Sequence, residues 1–281
     1  MGWGYVHYQV IKVFNNNVVL AKQNRQEMIL VSKGIGFGKK PGESLIVDTK
    51  SIEKVFHQLN ANDSIGYLDR IVKYDKEIIG VSEEIIAKAE IALGPLSPNI
   101  HTALVDHITF ALDRIYMDLP IENPFIEEII LLYQEEYDLA EVAASLIKER
   151  LGIHIGEDEK GFIALHLHSA RNNKTIRETM KDTRLFKTCI DIIIQETGTP
   201  LMNENYSLYQ SCILNLKTLL YHCKKEKIMN NPLKKEIKNK IVESYKVAKQ
   251  IGMSIKKETN IILSDEMIAY IAIEIEKIRQ F

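Results

Sequence analysis

The chain has 281 residues, 46% of them apolar and 26% charged, with a formal net charge of −2, which fits a globular protein of two or three domains and excludes a disordered or fibrous chain. No apolar run reaches the roughly 18 residues of a membrane span, and the first residues, Met1-Gly2-Trp3-Gly4-Tyr5, lack the basic-then-apolar order of a signal peptide, so a cytoplasmic protein without membrane insertion is expected. Cys189, Cys212 and Cys223 are odd in number and have no CxxC spacing, which argues against a disulfide framework or a zinc knuckle and for reduced packing residues.

Charge is unevenly spread. Residues 1–60 hold eight Lys/Arg against four Asp/Glu, and the rest hold 28 against 34. A small basic module that meets an anion, joined to a larger acidic body, is the expected organisation. From Tyr8 the chain alternates, Val10 and Lys12 opposing Ile11 and Val13; Asn15-Asn16-Asn17 interrupts, and Val18–Ala21 resumes. Gln23-Asn24-Arg25-Gln26 reads as a hairpin turn and Met28–Val31 as the next strand. A sheet of about 60 residues buries little surface, so dimerisation through it is expected.

The stretch Ser32-Lys33-Gly34-Ile35-Gly36-Phe37-Gly38-Lys39-Lys40 follows. It fits neither the P-loop spacing GxxxxGK[ST] nor the dinucleotide spacing GxGxxG. A nucleic acid suits it better: glycines admit close backbone approach, Phe37 can stack, and Lys33, Lys39 and Lys40 can release counterions from phosphates. Amides at Asn15–Asn17 can read base edges. On the pattern alone, a plain turn and a flexible loop remain open. The runs Ile11-Lys12-Val13-Phe14-Asn15-Asn16-Asn17-Val18 and Ser32–Lys40, in that order and spacing, resemble the co-antiterminator RNA-binding domain of the BglG/SacY family of bacterial antiterminators. The resemblance implies a four-stranded antiparallel sheet that dimerises and binds an RNA hairpin, with Lys12, Asn17, Ser32, Lys33, Gly34 and Phe37 at the RNA.

Beyond residue 65 the chain repeats itself. Shifted by 108 residues, Asn123-Pro124-Phe125 falls on Asn231-Pro232-Leu233, Tyr137 on Tyr245, Ala140 on Ala248, and Gly161–Leu165 on Ala269–Ile273, with no insertion between these anchors. Apolar spacing predicts helices over 83–93, 100–116, 125–132, 138–151 and 158–170, separated by prolines and glycines. The expected fold is multidomain: a small antiparallel all-β module over 1–62, then two homologous all-α helical-bundle modules over 66–171 and 173–281. Residues 43–65, with Asn60-Ala61-Asn62-Asp63-Ser64, read as the linker between sheet and body.

The repeat also acts as an internal control. His107 falls on Asn215, His166 on Glu274, His168 on Glu276 and His101 on Tyr209, so the first copy holds histidines that the second lacks. At about 100° per residue, His168 points about 200° away from His166, and only one of them can face a given site; the sequence does not say which. Asp106 beside His107 could orient an imidazole, and Arg114 could hold a phosphate. Packing histidines, or a metal site built from His107, His166 and Asp106, are the competing readings, although no HExxH-like spacing is present. The segments His101–Ala111, Asn123-Pro124 and Gly161–His166 resemble the phosphotransferase-system (PTS) regulation domain, which occurs twice in BglG/SacY proteins. The wording Ala164-Leu165-His166-Leu167-His168-Ser169-Ala170 is most similar to the glucose-type members.

That resemblance implies an antiterminator rather than an enzyme, with no cofactor. Its partners would be an RNA hairpin, a second copy of the chain, and a PTS sugar permease (enzyme II) as phosphoryl donor to His107 and His166. Asn215 and Glu274 cannot carry an N-linked phosphoryl group, so an activating input through the second copy is expected to be absent. Glu274 reads equally as a fixed negative charge or as an ion-pair residue. A PTS-regulated DNA-binding activator is the alternative, but it requires an N-terminal helix-turn-helix where residues 8–42 read as strands.

Overall fold

Strand β1 (Tyr5–Asn15) lies between β4 (Ser44–Asp48) and β2 (Val18–Gln23), and β3 (Gln26–Val31) and β5 (Lys54–His57) complete an antiparallel sheet of order β4-β1-β2-β3-β5. The description comes from a computed structural model and covers residues 5–24, 26–57, 74–200, 206–225, 227 and 229–280. The expected linker stretch 60–64 and the module borders at 62 and 66 lie outside the described residues. Five strands replace the expected four. Residues 44–57, read from sequence as linker, contribute two of them, because Leu45 is buried on one face and Val55 and Phe56 pack on the two faces.

The simple alternation predicted along β1 does not hold. Its register with β2 slips between Val10 and Lys12 and again between Val13 and Asn15. Each bulge shifts the side chains that follow it to the opposite face. Val10 and Val13 therefore share one apolar face with Tyr8, Val19, Ala21, Met28 and Leu30, while Ile11 and Phe14 share the other with Val18, Leu20, Ile29 and Val31.

Both faces are covered within the chain. Ile35 of the glycine stretch, with Ile52, closes the first. Helix α1 (Lys76–Leu93) closes the second through Ile79 and Ala87, joined by Val105 of α2 (Ile100–Tyr116). Asp75 caps α1 by accepting from the Glu77 N–H at 2.7 Å, and Gly94, at φ 85°, ends it. Nearly every α1 residue from Ile79 to Ala89 is buried, because the helix runs between the sheet and the helices behind it. Sequence reasoning started this helix at Glu83, since Gly80 among β-branched Ile78, Ile79 and Val81 carries little helix signal. Sheet and first helical copy form one compact unit, residues 1–179, and residues 180–281 form a second.

In the first unit α3 (Ile126–Leu132), α4 (Gln134–Leu151) and α5 (Glu157–Arg171) follow, and α6 (Ile176–Thr197) continues the chain into the second. There α7 (Tyr206–Lys224), α8 (Lys234–Lys240), α9 (Val242–Thr259) and α10 (Asp265–Arg279) repeat the earlier plan. The 108-residue shift carries α3, α4 and α5 onto α8, α9 and α10 end for end. Local devices repeat as well. Asn123 and Asn231, both buried, accept from the N–H of Phe125 (3.0 Å) and Leu233 (3.1 Å). Gly152 and Asn260 end α4 and α9 in the left-handed conformation, at φ 72° and 61°.

Candidate nucleic-acid interface and histidine site

The two motifs of the N-terminal module meet in space. The Ser32 N–H donates to the Asn17 carbonyl at 3.0 Å, Gly36 N–H to the Asn16 carbonyl at 2.9 Å, and Gly34 N–H to Asn17 Oδ1 at 2.8 Å. Gly34 needs its positive φ of 74°, and Gly36 lies so close to the turn that a Cβ there would meet the Asn15 carbonyl at 2.3 Å. The asparagine turn thus braces the glycine loop, which presents Phe37 at 73% exposure with Lys33 and Lys40 also exposed. Lys12 lies over the Phe14 ring at 5.5 Å. Ser32 is buried, and its hydroxyl donates to the Ser51 carbonyl at 2.6 Å, so it secures the base of the loop instead of standing free.

In the first helical copy, the rings of His107 and His166 lie 4.9 Å apart, with Phe162 5.9 Å from His107. This selects His166 rather than His168. The partner of His107 is not the one the sequence suggested: Asp106 accepts from the Tyr74 hydroxyl, because adjacent residues on a helix diverge by about 100°. Glu159 stands there instead, its Oε2 3.3 Å from His107 Nε2 and its Oε1 accepting from Arg114 at 2.5 Å. A helical stripe would have disclosed it, since Arg114 lies seven residues after His107 on α2 and Glu159 seven before His166 on α5, each pair within about 20° of one face.

The site is dry. Among the described residues, the buried Nε2 of His107, Nε of Arg114 and Oε2 of Glu159 have no hydrogen-bond partner. Burial opposes ionisation of Glu159, but the adjoining His107 and Arg114 outweigh it and hold its carboxyl below the usual range. Burial, helped by His107, pushes the His166 imidazole down to about 3, so it is neutral at physiological pH. A neutral imidazole has the lone pair needed to attack phosphorus, and Arg114, on the opposite oxygen of the Glu159 carboxylate from His107, is a guanidinium able to bind the resulting dianion.

His168 and His101 stand apart from this pair. His168 Nδ1 contacts Glu136 at 3.0 Å and its ring lies on Tyr133 at 3.8 Å. His101 contacts Glu83 at 2.8 Å and packs edge-on against Phe56 of β5, joining helices to sheet. Among the described residues, no group of three or more His, Cys, Asp or Glu is placed to hold a metal ion.

The second unit lacks this site. Asn215 is exposed on α7. Glu274 is 8% exposed, accepts from Ser211 at 3.1 Å and pairs with Lys277 at 2.8 Å, which fits the ion-pair reading of that residue. Met267 stands at the register of Glu159 and His222 at that of Arg114.

Comparison with known proteins agrees with this layout. The CAT RNA binding domain family matches residues 8–64, and the PRD domain family matches residues 82–170 and 187–278. Protein GlcT of Staphylococcus aureus strain JH9 is 31% identical over 271 residues, covering 95% of this chain and 95% of that protein, and the strain Newman protein gives the same figures. A solved structure described as "Crystal structure of GlcT CAT-PRDI" aligns with a TM-score of 0.49 at 35% identity, covering 60% of this chain and all of that one. With an RNA-binding sheet followed by two PRD domains over nearly its whole length, the chain belongs to the BglG/SacY family of transcriptional antiterminators and stands among its glucose-type members.

Proposed function

We propose that the chain acts as a homodimer that binds an RNA hairpin in the leader of a sugar-PTS operon and prevents the terminator from forming. Its working modules are residues 1–62, 66–171 and 173–281. Lys12, Asn17, Lys33, Gly34 and Phe37 contact the RNA, with Ser32 holding the loop in place. A PTS sugar permease phosphorylates His107 and His166 and thereby inhibits binding, and the protein works in the cytoplasm. Among the described residues no helix is long and apolar enough to cross a membrane.

The observation that carries this reading is the His107–His166 pair, with His107 and Arg114 on the two oxygens of Glu159, present in the first copy and replaced by Asn215 and Glu274 in the second. A phosphoryl group brings about 1.5 to 2 negative charges at neutral pH. On His107 it would face the Glu159 carboxylate, 3.3 Å from Nε2. Repulsion then separates α2 from α5 or transfers Arg114 from Glu159 to the phosphoryl group, and either outcome alters the helix pair on which Val105 meets the sheet. A coupling of about 1–3 kcal/mol changes affinity roughly 5- to 150-fold, enough for a genetic switch. The DNA-binding alternative has no support from residues 5–57, whose regular elements are strands and one short 3-10 turn.

A gel shift with the leader RNA upstream of the neighbouring sugar-permease gene tests the reading. Phe37→Ala is expected to abolish binding and His107→Asp to weaken it. Wild-type binding and antitermination by His107→Asp would defeat the inhibitory-phosphosite reading.

A further inference from the structure

Both ends of the Asn17 amide are already engaged in the free chain. Its Oδ1 accepts from Gly34 N–H, while its Nδ2 donates to Glu84 Oε2 at 2.9 Å, and Asn15 Nδ2 donates to Glu84 Oε1 at 2.8 Å. From the other side Arg150 of α4 grips the same carboxylate through Nε (3.1 Å) and NH2 (2.9 Å). Glu84 is 5% exposed, so a single buried carboxylate on α1 takes four hydrogen bonds, two of them from the asparagine turn. Gly80, one turn earlier on α1, makes the approach possible: a Cβ there would lie 2.5 Å from Asn15 Nδ2.

This carboxylate stands where an RNA acceptor would have to go. Asn17 Nδ2 carries two N–H groups and Glu84 takes one of them, so a base edge or phosphate that reaches for the other must sit beside the Glu84 carboxylate, acceptor next to acceptor. The surroundings oppose the newcomer. The cleft of about 530 Å³ between the asparagine turn and the helices is lined by Asn17, Ser32 and Lys33 on one side and includes Glu53, Glu77, Glu84 and Glu149. The cleft also holds Lys33, Lys88 and Arg150, so its four carboxylates face three cations, and Glu84 is the carboxylate that stands against the asparagine turn.

We infer that Glu84 is an internal competitor of RNA: its carboxylate closes one N–H of the Asn17 amide in the free chain and sets a negative charge beside the other, and RNA engages Asn17 fully only when Glu84 lets go, leaving Glu84 to Arg150. The inference rests on the proposal that Asn17 contacts RNA. The closed form reduces apparent affinity in proportion to the fraction of chains that are open.

The test is RNA binding by the full chain, using the same leader hairpin. Glu84→Gln keeps the shape of the side chain and removes its charge, and is expected to bind RNA about tenfold more tightly, the scale of one charge-assisted hydrogen bond. Glu149→Gln, in the same cleft but without a bond to the asparagine turn, is expected to change binding less than about twofold, as for an exposed charge. Equal or weaker binding by Glu84→Gln overturns the inference, as does an equal gain from both variants, which would make the effect general electrostatics. Should Glu84→Gln fold poorly, the wild-type chain decides: the Asn15 side-chain amide, which has no assigned RNA contact, should shift in the NMR spectrum when RNA binds, and an unmoved resonance overturns the inference. Phe37→Ala, run alongside, reports on the RNA surface itself. Its failure to weaken binding would count against the surface assignment whatever Glu84→Gln does.

Discussion

Gly80→Ala should invert the usual rule for a glycine inside a helix. Replacing glycine by alanine in a helix interior ordinarily stabilises by about 0.5–1 kcal/mol. Here the new Cβ would lie 2.5 Å from Nδ2, 2.7 Å from Cγ and 3.1 Å from Cβ of Asn15, so rotation of the amide tip alone cannot relieve the clash. Asn15 must swing away and lose its bond to Glu84, and a hydrogen bond to a charged group contributes about 1.5–3 kcal/mol. The net expectation is a loss of about 1–2 kcal/mol. In an Asn15→Ala background the contacts with Nδ2 and Cγ are gone and only the Cβ contact at 3.1 Å remains, so the loss should shrink to about zero or turn into a stabilisation of up to about 0.5–1 kcal/mol. With two compact units the chain is not expected to unfold in one step. The cycle is therefore read by hydrogen exchange of peptides from β2 and α1 across a urea titration. Stabilisation by Gly80→Ala in both backgrounds would refute the close packing of α1 on the asparagine turn.

Further expectations concern each copy. Asn123→Ala and Asn231→Ala both delete a buried turn acceptor, at about 1–3 kcal/mol. Asn123→Ala should cost more in thermal melts, because Asn123 Nδ2 also reaches the Asp158 carbonyl at 3.4 Å while the buried Nδ2 of Asn231 has no hydrogen-bond partner among the described residues. Ring NMR of His166 should show a neutral imidazole from pH 8 down past pH 5. Its folded pKa of about 3 lies below the ordinary histidine value of 6.5, so the unfolded chain binds more protons between those values, and stability falls on acidification through that window. Glu159 acts with the same sign at lower pH: its folded pKa is depressed, so its contribution is present above about 4.5 and disappears below. His101 has the opposite sign. Burial lowers its pKa, but Glu83 more than compensates, so its contribution is present below 6.5 and fades as pH rises through the elevated folded value. Glu83→Gln should therefore lower the His101 pKa measured by NMR.

Periodicity and the repeat made the body legible, because both are local or self-referential: the 108-residue shift aligned whole helices, and α2 matched its predicted bounds. The sheet was legible as strands but not in its faces, since a β-bulge leaves no mark in the apolar pattern of β1 beyond an ambiguity over Val13. Residues 44–57 were missed as strands because their pairing partners, β1 and β3, are distant in sequence. At the histidine site the sequence supplied His107, His166 and Arg114 and overlooked Glu159, 52 residues from His107, because adjacency drew attention to Asp106. Glu84 was invisible for a similar reason. Its bonds to Asn15 and Asn17 span 69 and 67 residues and depend on how a helix docks on a sheet.

Regulation of this chain turns on whether first-copy phosphorylation closes the RNA surface. The decisive measurement is leader-RNA affinity of the full chain before and after phosphorylation by the PTS permease, with the modified residues mapped by mass spectrometry under conditions that preserve phosphohistidine. Phosphoryl groups on His107 and His166 together with an affinity loss of about 5- to 150-fold are predicted. Modification confined to other residues, or full RNA affinity with both histidines phosphorylated, would contradict it.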